Sequence, residues 1–443
     1  MNLSEVFGVS RDPVCSYIER DAVDVALENA LRGTRQIIIY GSSKQGKTAL
    51  LQRHLAHDRR ITVHCVPPMT AEDLYRSFLR QLNIEIVSER TTETNREVST
   101  SISARFTAML PFFGGGEAEA KGEAKGGTTE GSTRQTVEFN LAVAQDVGEL
   151  LLKVGGAELF YVLENFHYLS DEMQRQFAFD LRTFEEMGLR FVILGVWKER
   201  NRLVQYNGDL QDRLAEVPVE PWEIQDFERV VATGSPFLNV TFEQSLTDTI
   251  FQQAHGSIAV VQELLKKLCE KSGALEYSPV PVNINDRVLL LEAISEKVSE
   301  YSARHVRSLE SIAAGSRTRR ATENVAALYL PYYFVKVMVF RTYAELKDGV
   351  ERKTLLELIQ AQHSVPDNVR IADVSGMLRR LASLQVKAKI VPPLFDYDPG
   401  TRRVKVVDST LYFFVDNCNP EDVMAEIPHP DPGAVEDIDA EEM

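Results

Sequence analysis

Cysteine is sparse and scattered in this sequence. The four, at positions 15, 65, 269 and 418, stand too far apart for a metal cluster or a disulfide framework. A reducing, cytosolic (cytoplasmic) setting is the expectation. Long apolar runs are lacking too. The longest, 326–340, is interrupted by Pro331 and Lys336, and it falls short of the ~20 residues that a membrane-spanning helix needs. A buried helix is expected there, and no membrane. The opening MNLSEVFGVSRDP has no basic segment leading an apolar one, so no secretory leader is expected. Excess positive charge is absent as well. The net charge is −16, and nine acidic residues between Glu421 and Met443, with no Lys or Arg among them, supply more than half of it. That balance excludes a chain that coats nucleic acid by bulk charge. The eight histidines lack metal-ligand spacing and no G-x-S-x-G motif occurs, so zinc and serine-hydrolase chemistry gain no support.

What is present is a chain of 443 residues, 44% of them apolar, enough for several cores. Its organising stretch is Gly41-Ser42-Ser43-Lys44-Gln45-Gly46-Lys47-Thr48, which fits the phosphate-loop pattern G-x-x-x-x-G-K-[ST]. The apolar, β-branched QIIIY (36–40) before it reads as a buried strand, and ALLQRHL (49–55) after it as a helix. A glycine-rich turn between strand and helix gathers backbone N–H groups, and the helix N-terminus adds partial positive charge. ATP with Mg²⁺ is the expected ligand. Residues Gly41, Ser42, Ser43, Lys44, Gln45, Gly46, Lys47, Thr48 and Ala49 would bind it, Lys47 on the β- and γ-phosphates and the Thr48 hydroxyl on the metal.

The remaining chain supplies the expected partners of that loop. Residues 1–16 read as a loose lead-in, and 17–31 as an amphipathic helix closed by Gly33, with Ile18 and Arg20 as candidates to touch the base. Strands are expected at 61–66, 159–163, 190–196 and 216–219. Thr70 and Ser170 read as helix N-caps. The strand LFYVL ends in Glu164-Asn165. Glu164 stands at the metal-side position, and Asn165 where a catalytic carboxylate is expected. Asn cannot take up a proton as a carboxylate does. Either hydrolysis is slow or another group, such as Glu164 itself, positions the water. His167 reads as a structural hydrogen-bonder at the strand end. Between 87 and 136 the chain is rich in Ser, Thr, Gly and Glu and reads as a mobile insertion, with FTAMLPFF (106–113) as a partner contact or a small hairpin.

These motifs resemble the AAA+ and related STAND ATPases, particularly their origin-recognition and archaeal-type branches. The resemblance covers about residues 17–275 and rests on GSSKQGKT, FYVLEN, FVILGVW and DRLAEVPVEPW, in that order. It implies an α/β P-loop fold: a three-layer αβα sheet domain (1–220) and a helical lid (221–277). Beyond it the chain reads as a helical connector (286–330), a winged-helix domain (331–419) and an acidic disordered tail (420–443). The resemblance also implies that Arg213, with Arg202 as the fallback, reaches the γ-phosphate of a neighbouring subunit, which requires a homo-oligomer. The lid departs from the family, since His255-Gly256-Ser257-Ile258 holds no arginine.

The winged-helix expectation comes from helices at 332–346, 352–360 and 371–384, then strands at 390–397 and 403–407 joined by Asp398-Pro399-Gly400-Thr401. Its third helix carries Arg370, Arg379 and Arg380. Yet 345–418 holds eleven basic and ten acidic residues, a weak balance for a phosphate-driven DNA binder. In STAND proteins such a domain packs on the nucleotide domain and holds it shut. The cluster Arg317-Thr318-Arg319-Arg320 could touch phosphate or an acidic partner. The leading expectation is a slowly hydrolysing ATP switch that controls oligomerisation or engagement of a protein partner. By analogy alone it points to prokaryotic antiviral defence. The alternatives are a DNA-loading ATPase and a nucleotide-binding scaffold with little hydrolysis.

Overall fold

A computed structural model describes residues 1–88, 106–110, 135–316 and 328–430. The basic cluster at 317–320, the tail beyond 430, and most of the 87–136 insertion lie outside them.

The chain opens with a short helix, α1 (Leu3–Val6), then α2 (Ala26–Arg32), β1 (Gln36–Tyr40), α3 (Lys47–His54), β2 (Arg60–His64) and α4 (Ala71–Gln81). Three antiparallel strands follow, β3 (Glu85–Ser88), β4 (Phe106–Leu110) and β5 (Gln135–Phe139), in the order β3-β4-β5. Then come α5 (Ala144–Lys153), β6 (Phe160–Glu164), α6 (Asp171–Glu186), β7 (Arg190–Gly195) and β8 (Leu214–Pro218). The main sheet is parallel, in the order β2-β6-β7-β1-β8. Its three central strands, β6, β7 and β1, read as nearly continuous apolar runs because helices cover both faces. Alternate residues face opposite layers. Ile37, Ile39, Val192 and Leu194 meet Leu27 of α2 and Leu50 and Leu51 of α3. Ile38, Tyr161, Phe191 and Ile193 meet Phe78, Leu151, Phe177 and Phe184 of α4–α6. The expected P-loop αβα fold is present.

The second part is helical: α7 (Ile224–Leu238), α8 (Gln244–Ala254), α9 (Ile258–Lys271) and α10 (Arg287–Ala313). Short strands β9 (Val240–Phe242) and β10 (Val282–Ile284) pair in parallel, so the proline-containing 278–285 stretch is hydrogen-bonded to the helical body. At 27 residues, α10 is about 40 Å long. Leu290, Ile294 and Tyr301 in its first half join the core of α7–α9. Leu309 and Ile312 in its second half join the C-terminal core. That core holds α11 (Leu330–Val339), α12 (Tyr343–Leu346), β11 (Val350–Glu351), α13 (Arg352–Gln360), α14 (Ile371–Arg379), α15 (Leu381–Lys387), β12 (Phe395–Asp398), β13 (Arg403–Val406), α16 (Ser409–Asn417) and α17 (Pro420–Ala425). The sheet order there is β11-β13-β12, all antiparallel. No helix among the described residues is long and apolar enough to cross a membrane.

Several sequence expectations change. Residues 1–16 are not loose: Leu3, Val6 and Phe7 are buried against α7–α9. The 17–31 helix begins only at Asp21, because Arg20 is extended and its backbone N–H is capped by Asp24 at 2.7 Å. Residues 137–154, helical in their apolar spacing, are the end of β5 followed by α5. The helices expected at 332–346 and 371–384 each break into two. Helix α16 had no counterpart in the sequence reading.

Phe7 gives the lead-in a measurable weight. Its ring lies so close to Gly234 of α7 that a Cβ there would fall 2.5 Å from it. Phe7→Ala should lower stability by about 3–5 kcal/mol in urea unfolding. A change within about 0.5 kcal/mol would show that the segment is not part of the core.

Candidate functional site

The sequence dictates a sharp turn after β1. Gly41 adopts φ 150°, and a Cβ on it would lie 2.6 Å from Val219 Cγ2. Gly46, at φ 89°, turns the chain into α3. Between them the loop closes on itself: Lys47 Nζ donates to the Gly41 carbonyl at 2.9 Å and the Ser42 carbonyl at 2.6 Å. Burial pushes the Lys47 ammonium down to about 8, partly opposed by Glu220.

Three other elements grip the same loop. From the segment after β8, Glu220 accepts the Ser42 N–H and also bonds Gln45 Nε2 at 3.2 Å. Trp222 Nε1 donates to the Gln45 carbonyl at 3.4 Å. From the α8–α9 turn, the Gly256 carbonyl accepts from Gln45 Nε2 at 3.3 Å, and the Ile258 N–H donates to Gln45 Oε1 at 3.3 Å. From the C-terminal body, the Val407 carbonyl accepts the Ser43 N–H at 2.8 Å, and Ser409 Oγ donates to the Ser43 carbonyl at 3.0 Å. Ser409 also meets Ser257, the N-cap of α9, at 2.9 Å. Asp408, fully buried, caps α16 through the Thr410 N–H at 3.0 Å and pairs with Arg304 of α10.

A cavity of about 310 Å³ opens beside the loop. Lys44, Gln45, Gly46, Lys47, Thr48 and Ala49 form its polar wall, and Val14, Ile18, Val230 and Ile258 its apolar wall. Trp222 lines it under Arg20, whose guanidinium carbon sits 3.7 Å from the indole centroid. Arg20 is held there by the Val219 and Pro221 carbonyls at 2.9 and 3.2 Å. An apolar recess joined to a loop of N–H groups at a helix start suits a base and its phosphates. The donor set fits a nucleoside triphosphate. Ser42 Oγ is buried with no partner, and the Thr48 hydroxyl makes no hydrogen bond among the described residues.

The carboxylate side is less complete. Glu164 ends β6, at the same edge of the sheet as the loop and separated from β1 by β7. Its carboxylate pairs with His64 at 3.3 Å. Asn165, at φ 59°, lines the cavity. Among the described residues no cluster of three acidic, His or Cys side chains could hold a metal. A cation here would rest on Glu164, Thr48 and the phosphates themselves. His167 is not the hydrogen-bonder expected: both ring nitrogens are buried without a partner.

Arg213 lies elsewhere. Its carbonyl accepts the Gln36 N–H at 3.1 Å, and its side chain pairs with Glu185 at 2.5 Å. That is the amino end of β1, separated by the length of the strand, ~16 Å, from the loop at the carboxyl end. It cannot serve this chain's own site. Arg202 is buried against Trp197 and paired with Asp396 of β12 at 2.5 Å. Sequence reasoning missed Glu220, Asp408, Ser409 and Arg304. The signal was there for two of them: Asp408-Ser409-Thr410 before the apolar LYFFV is a helix start.

No family model matches the chain, and no curated protein matches it. Among solved structures it is similar to an Orc1 protein of Aeropyrum pernix in complex with DNA, at 14% identity over 92% of this chain and 91% of that one, TM-score 0.39. It is similar to a Walker-type ATPase of Pyrococcus abyssi at 11% identity over 90% and 96%, TM-score 0.45. It is also similar to a RuvB variant of Thermotoga maritima at 11% identity over 90% and 95%, TM-score 0.39. Likeness of this degree assigns neither a partner nor an activity.

The depressed Lys47 gives a signed pH effect. In the free protein it is about half neutral near pH 8, and a bound polyanion would hold it charged. Binding of a non-hydrolysable ATP analogue should therefore take up about half a proton at pH 8 and almost none at pH 6. Calorimetry in buffers of different ionisation enthalpy reads this directly. Equal proton uptake at both pH values would remove Lys47 as the phosphate contact.

Proposed function

We propose that the protein is an ATP-binding switch whose nucleotide state sets how the C-terminal body sits on the phosphate loop. One observation carries this. The Ser43 backbone, within the loop that would hold phosphate, bonds Val407 and Ser409 of the C-terminal body. A triphosphate and Mg²⁺ arriving at Lys44–Thr48 change the charge beside Asp408 and Arg304, so they bias the docked arrangement against an open one.

The β12–β13 hairpin supports this reading. Asp396 bonds Arg202, Asp398 bonds Gln205 at 3.3 Å, and Lys405 pairs with Glu199 at 2.9 Å. Lys405, a basic residue of this hairpin, is thus engaged within the chain. We read the helical C-terminal body, with its three-stranded sheet, as a winged helix that packs on the sheet domain. Residues 1–220, 221–277 and 331–419 are then the moving parts, joined through α10. Turnover is slow on this reading, given Asn165. An oligomer would let Arg213 of one subunit reach the site of another.

The DNA-loading alternative keeps one favourable observation: Arg370, Arg379 and Arg380, on and beside α14, are exposed. Duplex binding that weakens steeply with salt would favour it.

The switch reading is tested by hydrogen exchange on the full chain. Saturation with an ATP analogue should change exchange at the 407–411 amides at least several-fold, and the Lys47→Ala protein should show no such change. Identical exchange with and without nucleotide, in a wild-type protein shown to bind it, sinks the switch. Asp408→Ala should mimic the open state by removing the carboxylate that pairs with Arg304 and caps α16, at a cost of about 1–2 kcal/mol.

A further inference from the structure

A second cavity, of about 480 Å³, also borders the phosphate loop, through Gly41 and Gln45. Gln45 and Trp222 line both cavities. Three bodies build the second one. The sheet domain contributes Lys198 and Arg200, from the segment after β7. The α8–α9 turn contributes His255, and the C-terminal body contributes Tyr343, Lys347 and Tyr412.

The charge of this cleft is unbalanced. Among the described residues, Lys198, Arg200 and Lys347 have no salt-bridge partner. Lys198 is half-buried, and its ammonium meets only the Tyr412 hydroxyl at 3.4 Å and the Tyr412 ring, whose centroid is 5.2 Å away. A lysine withdrawn from bulk water is ordinarily paired. A fourth cation, Lys405, is already paired with Glu199. Two carboxylates share the lining, Glu220 and Asp348. Glu220 is committed to the phosphate loop through the Ser42 N–H and the Gln45 side chain, and Asp348 is exposed. That leaves three unpaired cations against one free carboxylate. Aromatic rings complete the lining: Tyr343 stacks on His255 at 4.4 Å and meets Tyr412 edge-on at 5.1 Å.

Phosphate suits this set better than carboxylate. Its terminal oxygens point in several directions, so one group can meet two ammoniums and a guanidinium that arrive from different bodies. A carboxylate presents two oxygens in a single plane. The volume admits a small organic molecule, and the rings give its body a surface to lie on.

We propose that this cleft is a second ligand site, for a small phosphorylated metabolite whose phosphate is held by Lys198, Arg200 and Lys347. A ligand there bridges the sheet domain and the C-terminal body beside the phosphate loop. The site is separate from the nucleotide cavity and does not need that cavity to be filled.

Calorimetry on the full-length protein tests this, with sodium pyrophosphate as the probe and no divalent cation present. The phosphate loop would also take pyrophosphate, so the Lys47→Ala protein isolates the cleft, where a single pyrophosphate should bind. Adding Lys347→Glu, at an exposed position, should weaken that binding by on the order of tenfold or more. Citrate should bind the cleft more weakly than pyrophosphate. In Lys347→Glu alone, affinity for a non-hydrolysable ATP analogue should stay within about twofold of wild type. Should Lys47→Ala fail to fold, wild-type protein saturated with the analogue takes its place and should keep the same single site. The proposal is overturned if no pyrophosphate binds once the loop is disabled or filled, if Lys347→Glu leaves that binding unchanged, or if citrate binds as tightly. A wild-type protein that fails to bind the analogue refutes the ATP reading instead, a distinguishable result.

Discussion

The structure depends on how the polar backbone of one eight-residue loop is satisfied. A chain that turns from a buried strand into a helix this tightly leaves N–H and C=O groups that no secondary structure can pair. Here the partners come from three separate places. Lys47 holds the Gly41 and Ser42 carbonyls from within. Glu220 takes the Ser42 N–H, Trp222 the Gln45 carbonyl, and Val407 the Ser43 N–H. The sheet domain, the helical body and the C-terminal body therefore meet at this loop because each supplies something it lacks.

The strength of these joints matters as much as their number. A neutral hydrogen bond contributes about 0.5–1.5 kcal/mol net, so the Ser43 contacts alone hold the C-terminal body only modestly. The Asp408–Arg304 pair differs. Asp408 is fully buried, and such a carboxylate is tolerable only while its partner stays in place. On the proposed switch reading, docking by several weak bonds around one buried ion pair would favour two discrete arrangements over a graded series. The lysine ladder between α9 and α10, in which Lys267, Lys271 and Lys297 meet Glu263, Glu292, Glu296 and Glu300, is mostly on the surface and adds little to either.

Much of the fold was legible because local chemistry and tertiary need agree there. QIIIY is a strand on propensity and on burial, Gly41 and Gly46 mark the turn, and Thr70 caps α4 with Asp73 answering back. Legibility fails where distant contacts decide. Tyr17 to Arg20 has helical spacing, yet Arg20 extends to stack on Trp222, two hundred residues away. Asp408 carries a local helix-start signal after the 403–407 strand, but only the loop it docks against shows what that helix does. In the site, residue types were readable and their relations were not. Nothing local distinguishes a histidine with partners from His167, and nothing local puts Glu164 opposite His64.

Helix α10 has one more consequence. Its two halves are built into different cores, and it carries Arg304 between them. A straight rod about 40 Å long works as a beam: a tilt of about 5° at one end displaces the other by roughly 3–4 Å. That is as long as a hydrogen bond. A shift at the α9 end too small to disrupt its packing is therefore enough, at the far end, to separate donors from acceptors.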